Sequence, residues 1–378
     1  MTINRRQFSI SSGAALVAGF STAHAQPDGK IILGQSAAFT GPAAQLGIQF
    51  HEGAKLYFDH INAQGGVNRQ KIEIRMLDDG YEPARCAENT RKLIAEDVFA
   101  LFGYIGTPTS IAALPLATKD KVPFIAPFTG AMALRDPFNK YAFHVRASYN
   151  DETALIVRQL TTLGLKKIAV FYQNDAYGKA GLDGVNLALS GHDLKPVALA
   201  TVERNSVEVA DAVKTLVAAG PDAVVQIGAY KACAAFIREA RKAGYGGTFY
   251  NVSFVGTQAL SDTLGRDGAG VVVSQVMPSP YNPARAVSRE FSAAVKAANR
   301  KETQANFSSM EGYVAARLVV EGLRRAGPRA TRESFITGLE AIGDESIGGF
   351  SVSYSANRHV ASKFVEMSML TGDGRVRT

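Results

Sequence analysis

Two loops rich in hydroxyl groups and glycine carry the residues of this sequence best suited to bind an anion. The first, at 106–110, reads GTPTS and follows the apolar run 98–103; the second, at 127–130, reads PFTG and follows the apolar run 122–125. Hydroxyls and backbone N–H groups can donate to a carboxylate, and a helix beginning at Thr107 adds the positive end of its dipole. The two loops therefore predict a carboxylate site.

A purely structural role also fits the first loop. Thr107 or Thr109 would then be the N-cap of the helix that follows, and Pro108 would be a first-turn proline. The loop sequence alone leaves both interpretations open.

Strand and helix patterns alternate along most of the chain. One series runs from 30 to 145, and a second begins near 146–150 and ends with the strand 271–276. The chain closes with three helical patterns and two strands, at 285–299, 307–326, 331–341, 350–354 and 364–370. This order predicts an α/β protein with two doubly wound, Rossmann-like lobes. Ligands of such sheets bind outside the carboxyl ends of the strands, where both hydroxyl loops fall.

The composition is that of a soluble globular protein. The chain has 378 residues, 46% of them hydrophobic and 20% charged, which is enough for about two domains. The formal net charge of +7 is spread out, with no basic run longer than pairs such as Lys166-Lys167. We therefore expect no nucleic-acid partner. Cys86 and Cys233 fall in separate predicted helices of different lobes, so we expect two free thiols that pack as small hydrophobes.

The first 25 residues have the features of an export signal. Arg5-Arg6 precede a moderately apolar run, and a small-residue cleavage site ends at Ala25. The Arg-Arg pair favours a twin-arginine signal, and a Sec signal is the alternative. No later run approaches the ~20 apolar residues of a membrane span. We therefore expect a periplasmic protein that begins near Gln26, carries a net charge of +5 and is not embedded in the membrane.

Signatures of catalysis are absent from the sequence. It has no Gly-x-Ser-x-Gly elbow, no Walker loop and no Gly-x-Gly-x-x-Gly turn. The histidines are scattered without a metal spacing, and Asp78-Asp79 is more typical of a strand-end turn than of a metal pair. We therefore expect no catalytic residue, no metal and no cofactor, and an exported α/β enzyme is the disfavoured alternative.

Several segments taken together resemble the leucine/isoleucine/valine-binding protein family, the extracytoplasmic receptors of ABC importers of the branched-chain amino acid type. The matching segments, in chain order, are FTGP at 39–42, INAQGGV at 61–67, DD at 78–79, the loop 103–110, NDAYG at 174–178 and GAYKACAAFIREARKAG at 228–244. The resemblance covers nearly all of 30–370.

The resemblance implies the type I periplasmic binding protein fold, in which three crossovers form a hinge between the lobes. Carried over to this sequence, the first lobe comprises 29–147 plus 276–350. The second comprises 148–275 plus 351–378. The helical tail would then return to the first lobe.

The resemblance also implies a set of ligand-binding residues. In the family, first-lobe loops hold the ligand carboxylate, and the matching positions are Thr107 and the segment 128–130. The family's threonine falls on Gly130, beside Thr129. Aromatic residues of the second lobe cover the ligand in the family. One of them matches Tyr177. The other matches either Ala229 or Tyr230, and we choose Tyr230.

Two departures from the family pattern concern a disulfide and the ligand's ammonium group. The family's disulfide partners fall on Tyr81 and Gly106, so that bridge is absent. Amino-acid binders pair the ammonium with a second-lobe glutamate, and the matching residue is Ser253. No acid lies between 239 and 262, and a buried ammonium without a carboxylate would be poorly compensated.

We therefore expect a carboxylate ligand without an α-amino group, most simply an aromatic acid. An aromatic lining could come from Tyr104, Phe128, Tyr177, Tyr230 and Phe254. The alternative is that some of these rings belong to the core, and that Asp175 or another acid serves an ammonium. A branched-chain amino acid is then the second choice of ligand.

The expected function is that of a monomeric, non-catalytic receptor. It would close around its solute and present the closed form to an ABC permease and its ATPase subunits. A ligand sensor of the same fold, signalling to a partner protein, is the alternative, because fold alone does not separate the two.

Overall fold

Residues 29–300 and 303–378 are described by a computed structural model of the protein. The first strand and helix series is confirmed as β1 Lys30–Ala37, α1 Ala44–Ala63, β2 Lys71–Asp78, α2 Pro83–Ala95, β3 Ala100–Phe102, α3 Thr107–Lys119, β4 Phe124–Ile125 and β5 Ala142–Phe143. The central strands of this series are almost wholly apolar and buried, as expected for parallel strands covered by helices on both faces.

The second series restarts directly after the first. Its elements are α4 Tyr149–Thr162, β6 Ile168–Gln173, α5 Ala176–Ser190, β7 Ala198–Val202, α6 Ala210–Ala218, β8 Ala223–Ile227, α7 Tyr230–Lys242, β9 Thr248–Asn251, α8 Thr257–Leu264 and β10 Val272–Gln275. The restart is fixed by a capping box, in which Ser148 accepts from the Asp151 N–H and the Asp151 carboxylate accepts from the Ser148 N–H.

The tail is helical, as the sequence predicts, and then returns to strands. Its elements are α9 Ala286–Ala298, α10 Phe307–Ala326, α11 Arg332–Glu340, β11 Glu345–Ile347, β12 Phe350–Val352, β13 Glu366–Leu370 and β14 Val376–Arg377. The short strands β11 and β14 are not apparent in the sequence pattern. Helix α10 begins at an N-cap, Asn306, and is buried along most of its length against α1.

The strands form two main sheets, one in each lobe. The first has the order β2-β1-β3-β4-β5 and is parallel throughout. The second has the order β14-β13-β10-β9-β8-β6-β7, in which β13 is antiparallel to β10 and β14 is antiparallel to β13. The predicted pair of doubly wound lobes is therefore confirmed.

The described chain passes between the two sheets three times: after β5, after β10 and before β13. The last return comes later than the expected start of a second-lobe segment at 351. Val360 bridges to His144 beside β5, and the Tyr354 hydroxyl donates to the His144 carbonyl at 3.1 Å. The stretch 353–361 thus lies against the first sheet, while the division into lobes as a whole stays a prediction.

Both cysteines are buried free thiols, as expected. The predicted export signal at 1–25 lies outside the described residues. None of the helices within 29–300 and 303–378 combines the length and the apolar character that a bilayer span requires.

Candidate ligand-binding cleft

Two threonine hydroxyls meet where the loops after β3 and β4 come together. Thr107 Oγ1 and Thr129 Oγ1 are 2.6 Å apart, and both residues are fully buried. The structure excludes the alternative in which Thr107 or Thr109 caps α3, because the N-cap is Gly106 and no side chain caps this helix. Thr109 instead donates back to main-chain carbonyls, one of them Gly106 O at 3.0 Å. The Thr107–Thr129 pair thus lies at a helix N-terminus that has no side-chain cap.

An aromatic cluster lies across the cleft from one lobe to the other. Phe254, in the short 3₁₀ helix Ser253–Val255 after β9, is its centre. Its ring centroid is 4.4 Å from that of Tyr177, 5.8 Å from Phe128 and 5.9 Å from Tyr81. The Tyr149 ring continues the cluster at 5.5 Å from Tyr177. Because all five rings are buried, they form a packed apolar cluster between the lobes, close to the loop that carries Thr129.

Tyr81 and Gly106 occupy the positions of the missing disulfide, and the tyrosine ring packs against the glycine. A Cβ on Gly106 would lie 2.2 Å from the Tyr81 ring, so glycine is required for the ring to enter the cleft. Tyr81 has a φ of +64° and its N–H donates to Asp79 Oδ1 at 2.9 Å. Its hydroxyl accepts from Gln173 Nε2 of the second lobe at 3.3 Å. Sequence reasoning missed Tyr81, although the loss of a disulfide at this pair was a signal.

A buried ionic network closes the hinge side of the cleft. Arg146 donates through Nε to Glu311 Oε1 at 2.8 Å and through Nη2 to Glu311 Oε2 at 2.7 Å. Its Nη1 donates to Ser253 Oγ at 3.1 Å, which joins the first lobe to the second. The guanidinium also lies 3.9 Å from the Phe128 ring centroid, within the range of a cation–π contact. Burial works against the charge of Arg146, but the Glu311 carboxylate outweighs it and raises the pKa of the guanidinium.

Glu152 is the acid that the sequence argument about Ser253 did not find. It lies on α4, and its carboxylate accepts from Ser253 N at 2.7 Å, from Ser253 Oγ at 3.0 Å and from Ser274 Oγ at 2.5 Å. Burial raises its pKa above the ordinary value, and the charge of Arg146 opposes this shift. A carboxylate therefore does reach position 253, from a residue about a hundred positions earlier in the chain.

A second arginine supports the threonine pair from behind. Arg135 donates to the carbonyls of Thr129 at 3.2 Å, Arg146 at 3.1 Å and Ala147 at 3.3 Å. Burial and the neighbouring Arg146 lower its pKa to about 10, which leaves it charged at neutral pH. Its hydrogen bonds within the described residues go to backbone carbonyls only, so this positive charge has no bonded carboxylate there.

Comparison with known proteins shows the family of the chain. The model of a family described as periplasmic binding protein matches residues 30–373. The chain belongs to the periplasmic binding protein family. Among solved structures, one described as a possible leucine/isoleucine/valine-binding protein from Rhodopirellula baltica is 34% identical with a TM-score of 0.89, covering 93% of this chain and 96% of that one.

Two further relatives agree. A substrate-binding periplasmic protein from Ralstonia solanacearum is 31% identical with a TM-score of 0.87, covering 92% of this chain and 99% of that one. A curated Leu/Ile/Val-binding protein homolog 3 from Brucella melitensis is 24% identical over 86% of each chain. The resemblance to the leucine/isoleucine/valine-binding type, and with it the type I fold, is confirmed. Members of this family are solute-binding proteins outside the cytoplasm rather than enzymes.

This periplasmic binding protein brings most of its predicted site residues into one place. Thr107, Phe128, Thr129, Tyr177 and Ser253 all reach the cleft described above. Gly130 is there too, and its carbonyl accepts from the Tyr149 N–H at 2.8 Å.

Two predicted residues lie elsewhere in the binding protein. Tyr104 packs at 4.9 Å from the Phe124 ring, with its hydroxyl 3.1 Å from Thr90 Oγ1, in a separate cluster behind the first sheet. The reason is Gly103, whose φ of +64° breaks the alternation along the strand and turns Tyr104 away from the cleft. Tyr230 lines a polar cavity of about 520 Å³ between α1 and α8 rather than the threonine pair.

Asp175, named above as an alternative partner for an ammonium, has other bonds. Its carboxylate caps α5 by accepting from Tyr177 N at 2.9 Å, and it also accepts from Gln173 Nε2 at 2.6 Å. Arg204 Nη1 lies 3.3 Å from its second oxygen. These bonds hold the segment that presents Tyr177 to the cleft.

The opposite rim of the cleft holds a half-exposed contact between the lobes. Glu82, beside α2, accepts from Arg204 Nη2 at 2.9 Å and from Asn205 Nδ2 at 2.7 Å. Asn205 also donates to the Gly80 carbonyl at 3.0 Å. Both lobes thus contact each other at the rim as well as at the hinge, so the binding protein is closed in this structure.

Proposed function

We propose that this protein captures a small carboxylate-bearing solute in the cleft and presents the closed form to an ABC permease and its ATPase subunits. The observation that carries the proposal is the buried Thr107–Thr129 hydroxyl pair at the uncapped start of α3. Two hydroxyls can each donate to one carboxylate, and the helix end favours negative charge. The protein would act as a monomer, with the two lobes moving about the three crossovers.

The charge around the pair favours an anion over a neutral group. Arg135 holds the Thr129 carbonyl and has no bonded carboxylate among the described residues. Arg146, in contrast, is neutralised by Glu311. An anionic group on the threonine pair would therefore meet a positive charge to which no carboxylate of the described residues is hydrogen-bonded, in a buried setting where Coulomb attraction is stronger than in water.

An aromatic acid is the ligand class that we favour. The aromatic cluster beside the pair contains rings from both lobes, and aromatic rings pack well against a flat aromatic ligand. Ser253 occupies the position at which the family has the glutamate that pairs with the ammonium. The nearby Glu152 already accepts three hydrogen bonds. An ammonium would have to compete with those donors, whereas an aromatic acid needs no such partner.

A branched-chain amino acid is the second choice, for a specific reason. Glu152 does bring a carboxylate to the place where the family's glutamate lies, by way of Ser253. Rotation of the Ser253 hydroxyl would let one Glu152 oxygen face an ammonium. A branched-chain amino acid therefore requires a Glu152 oxygen that faces the ligand, whereas an aromatic acid requires none.

A thermal-shift and titration screen tests the proposal. The chain from Gln26 onward would be screened against benzoate, 4-hydroxybenzoate, phenylacetate, leucine and valine. A ligand at 100 times its Kd adds about 2.7 kcal/mol of stability, which is readily measured. We expect the aromatic acids to shift the melting temperature and leucine not to. Binding of leucine alone would reject the aromatic class but keep the carboxylate site.

The carboxylate site is tested by Thr107→Val and Thr129→Val. Each variant removes one donor to a charged group and should weaken binding about 10- to 100-fold. Thr215→Val, on the exposed surface of α6, is the matched control and should leave binding unchanged. Unaltered affinity in both cleft variants would contradict the proposal.

Transport and sensing are separated by an uptake measurement. Cells that lack the protein should lose high-affinity uptake of the ligand found in the screen if the protein serves an importer. A sensor would leave uptake intact when the transport genes are expressed independently.

A further inference from the structure

Tyr149 lies at the point where the first lobe passes into the second. It is the first residue of α4, directly after the N-cap Ser148, whose capping box with Asp151 fixes the backbone there. Its N–H donates to the Gly130 carbonyl at 2.8 Å. The residue is thus attached to the loop of the threonine pair through its backbone and to the second lobe through its helix.

The Tyr149 side chain occupies the space that a side chain at 130 would need. A Cβ on Gly130 would lie 2.6 Å from the Tyr149 nitrogen and 2.8 Å from its Cδ1 atom. Such distances exclude any larger residue at 130 unless Tyr149 moves. By resemblance to the family, 130 is the position of a hydroxyl-bearing threonine. The hydroxyl that the family has at 130 is thus absent here, and a tyrosine from another element lies against Gly130.

The Tyr149 hydroxyl is buried and has no hydrogen-bond partner among the described residues. The charge of Arg146 and, after it, the hydroxyls of Thr129 and Thr107 oppose the effect of burial on its pKa. Burial dominates and raises that pKa to about 12, so the phenol keeps its proton at neutral pH and can donate. A buried hydroxyl without a partner is unfavourable, and native structures seldom leave one unless a ligand or water completes it.

We propose that Tyr149 donates a hydrogen bond from its hydroxyl to the ligand's carboxylate, as a third donor beside Thr107 and Thr129 that replaces the threonine missing at Gly130. This assignment rests on the proposed carboxylate ligand. Since Tyr149 begins α4 and its ring packs on Tyr177, the same contact ties the anion to the second lobe. Capture of the carboxylate by the first lobe would then favour the closed arrangement of the hinge.

The test uses Tyr149→Phe, which removes only the hydroxyl, in the full mature chain. The probes are benzoate, phenylacetate and leucine, together with benzamide, phenylacetamide and leucinamide. We expect the carboxylate bound by the wild type to lose about tenfold in affinity, which is about 1.4 kcal/mol. The ratio of carboxylate to carboxamide affinity should fall with it. The stability of the unliganded variant should differ little from that of the wild type, because the hydroxyl removed makes no hydrogen bond among the described residues.

Tyr354→Phe is the matched control. Tyr354 is also buried, but its hydroxyl donates to the His144 carbonyl, away from the cleft. This variant should lose stability and keep the affinity of the wild type.

The outcomes separate this inference from the proposed function. If the wild type binds none of the three carboxylates, both fail. If it binds one and Tyr149→Phe binds that compound within twofold of the wild type, the carboxylate site stands and the role of Tyr149 is rejected. Should the variant not fold, a crystal structure of the wild type with its bound probe decides. A Tyr149 Oη to carboxylate oxygen distance of hydrogen-bond length, about 2.5–3.0 Å, supports the inference, and a clearly longer one overturns it.

Discussion

Two ion pairs on opposite sides of the cleft differ sharply in their surroundings. On the hinge side, Arg146 and Glu311 are 1% and 3% exposed, and Arg146 continues to Ser253 of the second lobe. On the rim, Arg204 and Glu82 are 25% and 41% exposed. Solvent screens the rim pair, so it contributes little, whereas the hinge pair is costly to break once formed. We infer that the hinge pair contributes mainly to the stability of the fold, and that the rim pair makes a small contribution to the closed arrangement of the lobes.

Removing one partner of the hinge pair should have the largest effect. Glu311→Gln leaves the Arg146 charge buried without its carboxylate, which we expect to lower the free energy of unfolding by about 3–5 kcal/mol. Urea unfolding followed by circular dichroism measures this. Glu290→Gln is the control, because Glu290 pairs with Arg317 on the surface and should change the free energy by less than about 1 kcal/mol. Equal losses in both variants would remove the distinction between buried and exposed pairs.

Asp79 sharpens the comparison, since it is a buried acid whose hydrogen bonds come from neutral groups. It accepts from Ser36 Oγ at 2.8 Å and from Tyr81 N at 2.9 Å, and burial raises its pKa to about 6. The folded state therefore holds this proton more tightly than the unfolded state, whose carboxyl has a pKa near 3.8. Stability from this group is present below about pH 4 and is lost as the pH rises through about 6.

We therefore expect Asp79→Asn to remove a pH-dependent contribution of about 2 kcal/mol between pH 4 and 7. The free energy of unfolding would be measured at several pH values across that window. The wild type should fall relative to the variant as the pH rises. Asp193→Asn, at an exposed position, should follow the wild-type curve. A parallel course of wild type and Asp79→Asn would show that Asp79 is stabilised by something other than its neutral donors.

Substitutions at position 253 test whether this residue, on the hinge side of the cleft, selects between an amino acid and an aromatic acid. Ser253→Glu restores the family's residue but places it against Glu152, so two carboxylates would share a buried site and the variant should be destabilised. Combining it with Glu152→Gln removes the conflict. We expect the double variant to gain about 10-fold for leucine relative to benzoate, measured by titration. Ser190→Glu, on the surface, should leave this ratio alone. A double variant that still prefers benzoate would show that the rings, not residue 253, select the ligand.

The fold follows from the sequence because its signals are local. Buried strands such as β3 are continuous apolar runs, and helices such as α10 carry caps and an apolar face, so their order and most bounds are predictable. The hydroxyl loops are found for the same reason, since each adjoins the end of a predicted strand, whereas Tyr177 is predicted from the resemblance to the family.

The rest of the cleft depends on contacts between distant parts of the chain. Glu152 and Ser253 lie about a hundred residues apart, and no periodicity connects them. The side of the sheet on which an aromatic side chain lies cannot be predicted from the sequence pattern either. Tyr104 lies outside the cleft because of the positive φ at Gly103, and Tyr81 lies inside it because Gly106 has no side chain. Glycines that stand where relatives have larger residues are the signal that could have found Tyr81 and Tyr149.

The rim contact should show the smallest effect and the strongest dependence on salt. Glu82→Gln removes the charge that Arg204 faces but keeps an acceptor for Asn205. We expect the Kd of the ligand to rise two- to fivefold at low salt, because an exposed pair is worth about 1 kcal/mol or less. The difference from the wild type should shrink at 0.5 M NaCl, where the screening length is only a few ångströms. Lys179→Gln, which breaks an exposed pair within α5, controls for general loss of charge. A loss that persists at high salt would mean that the rim acts through shape and hydrogen bonds, and the contrast with the hinge side would then rest on burial alone.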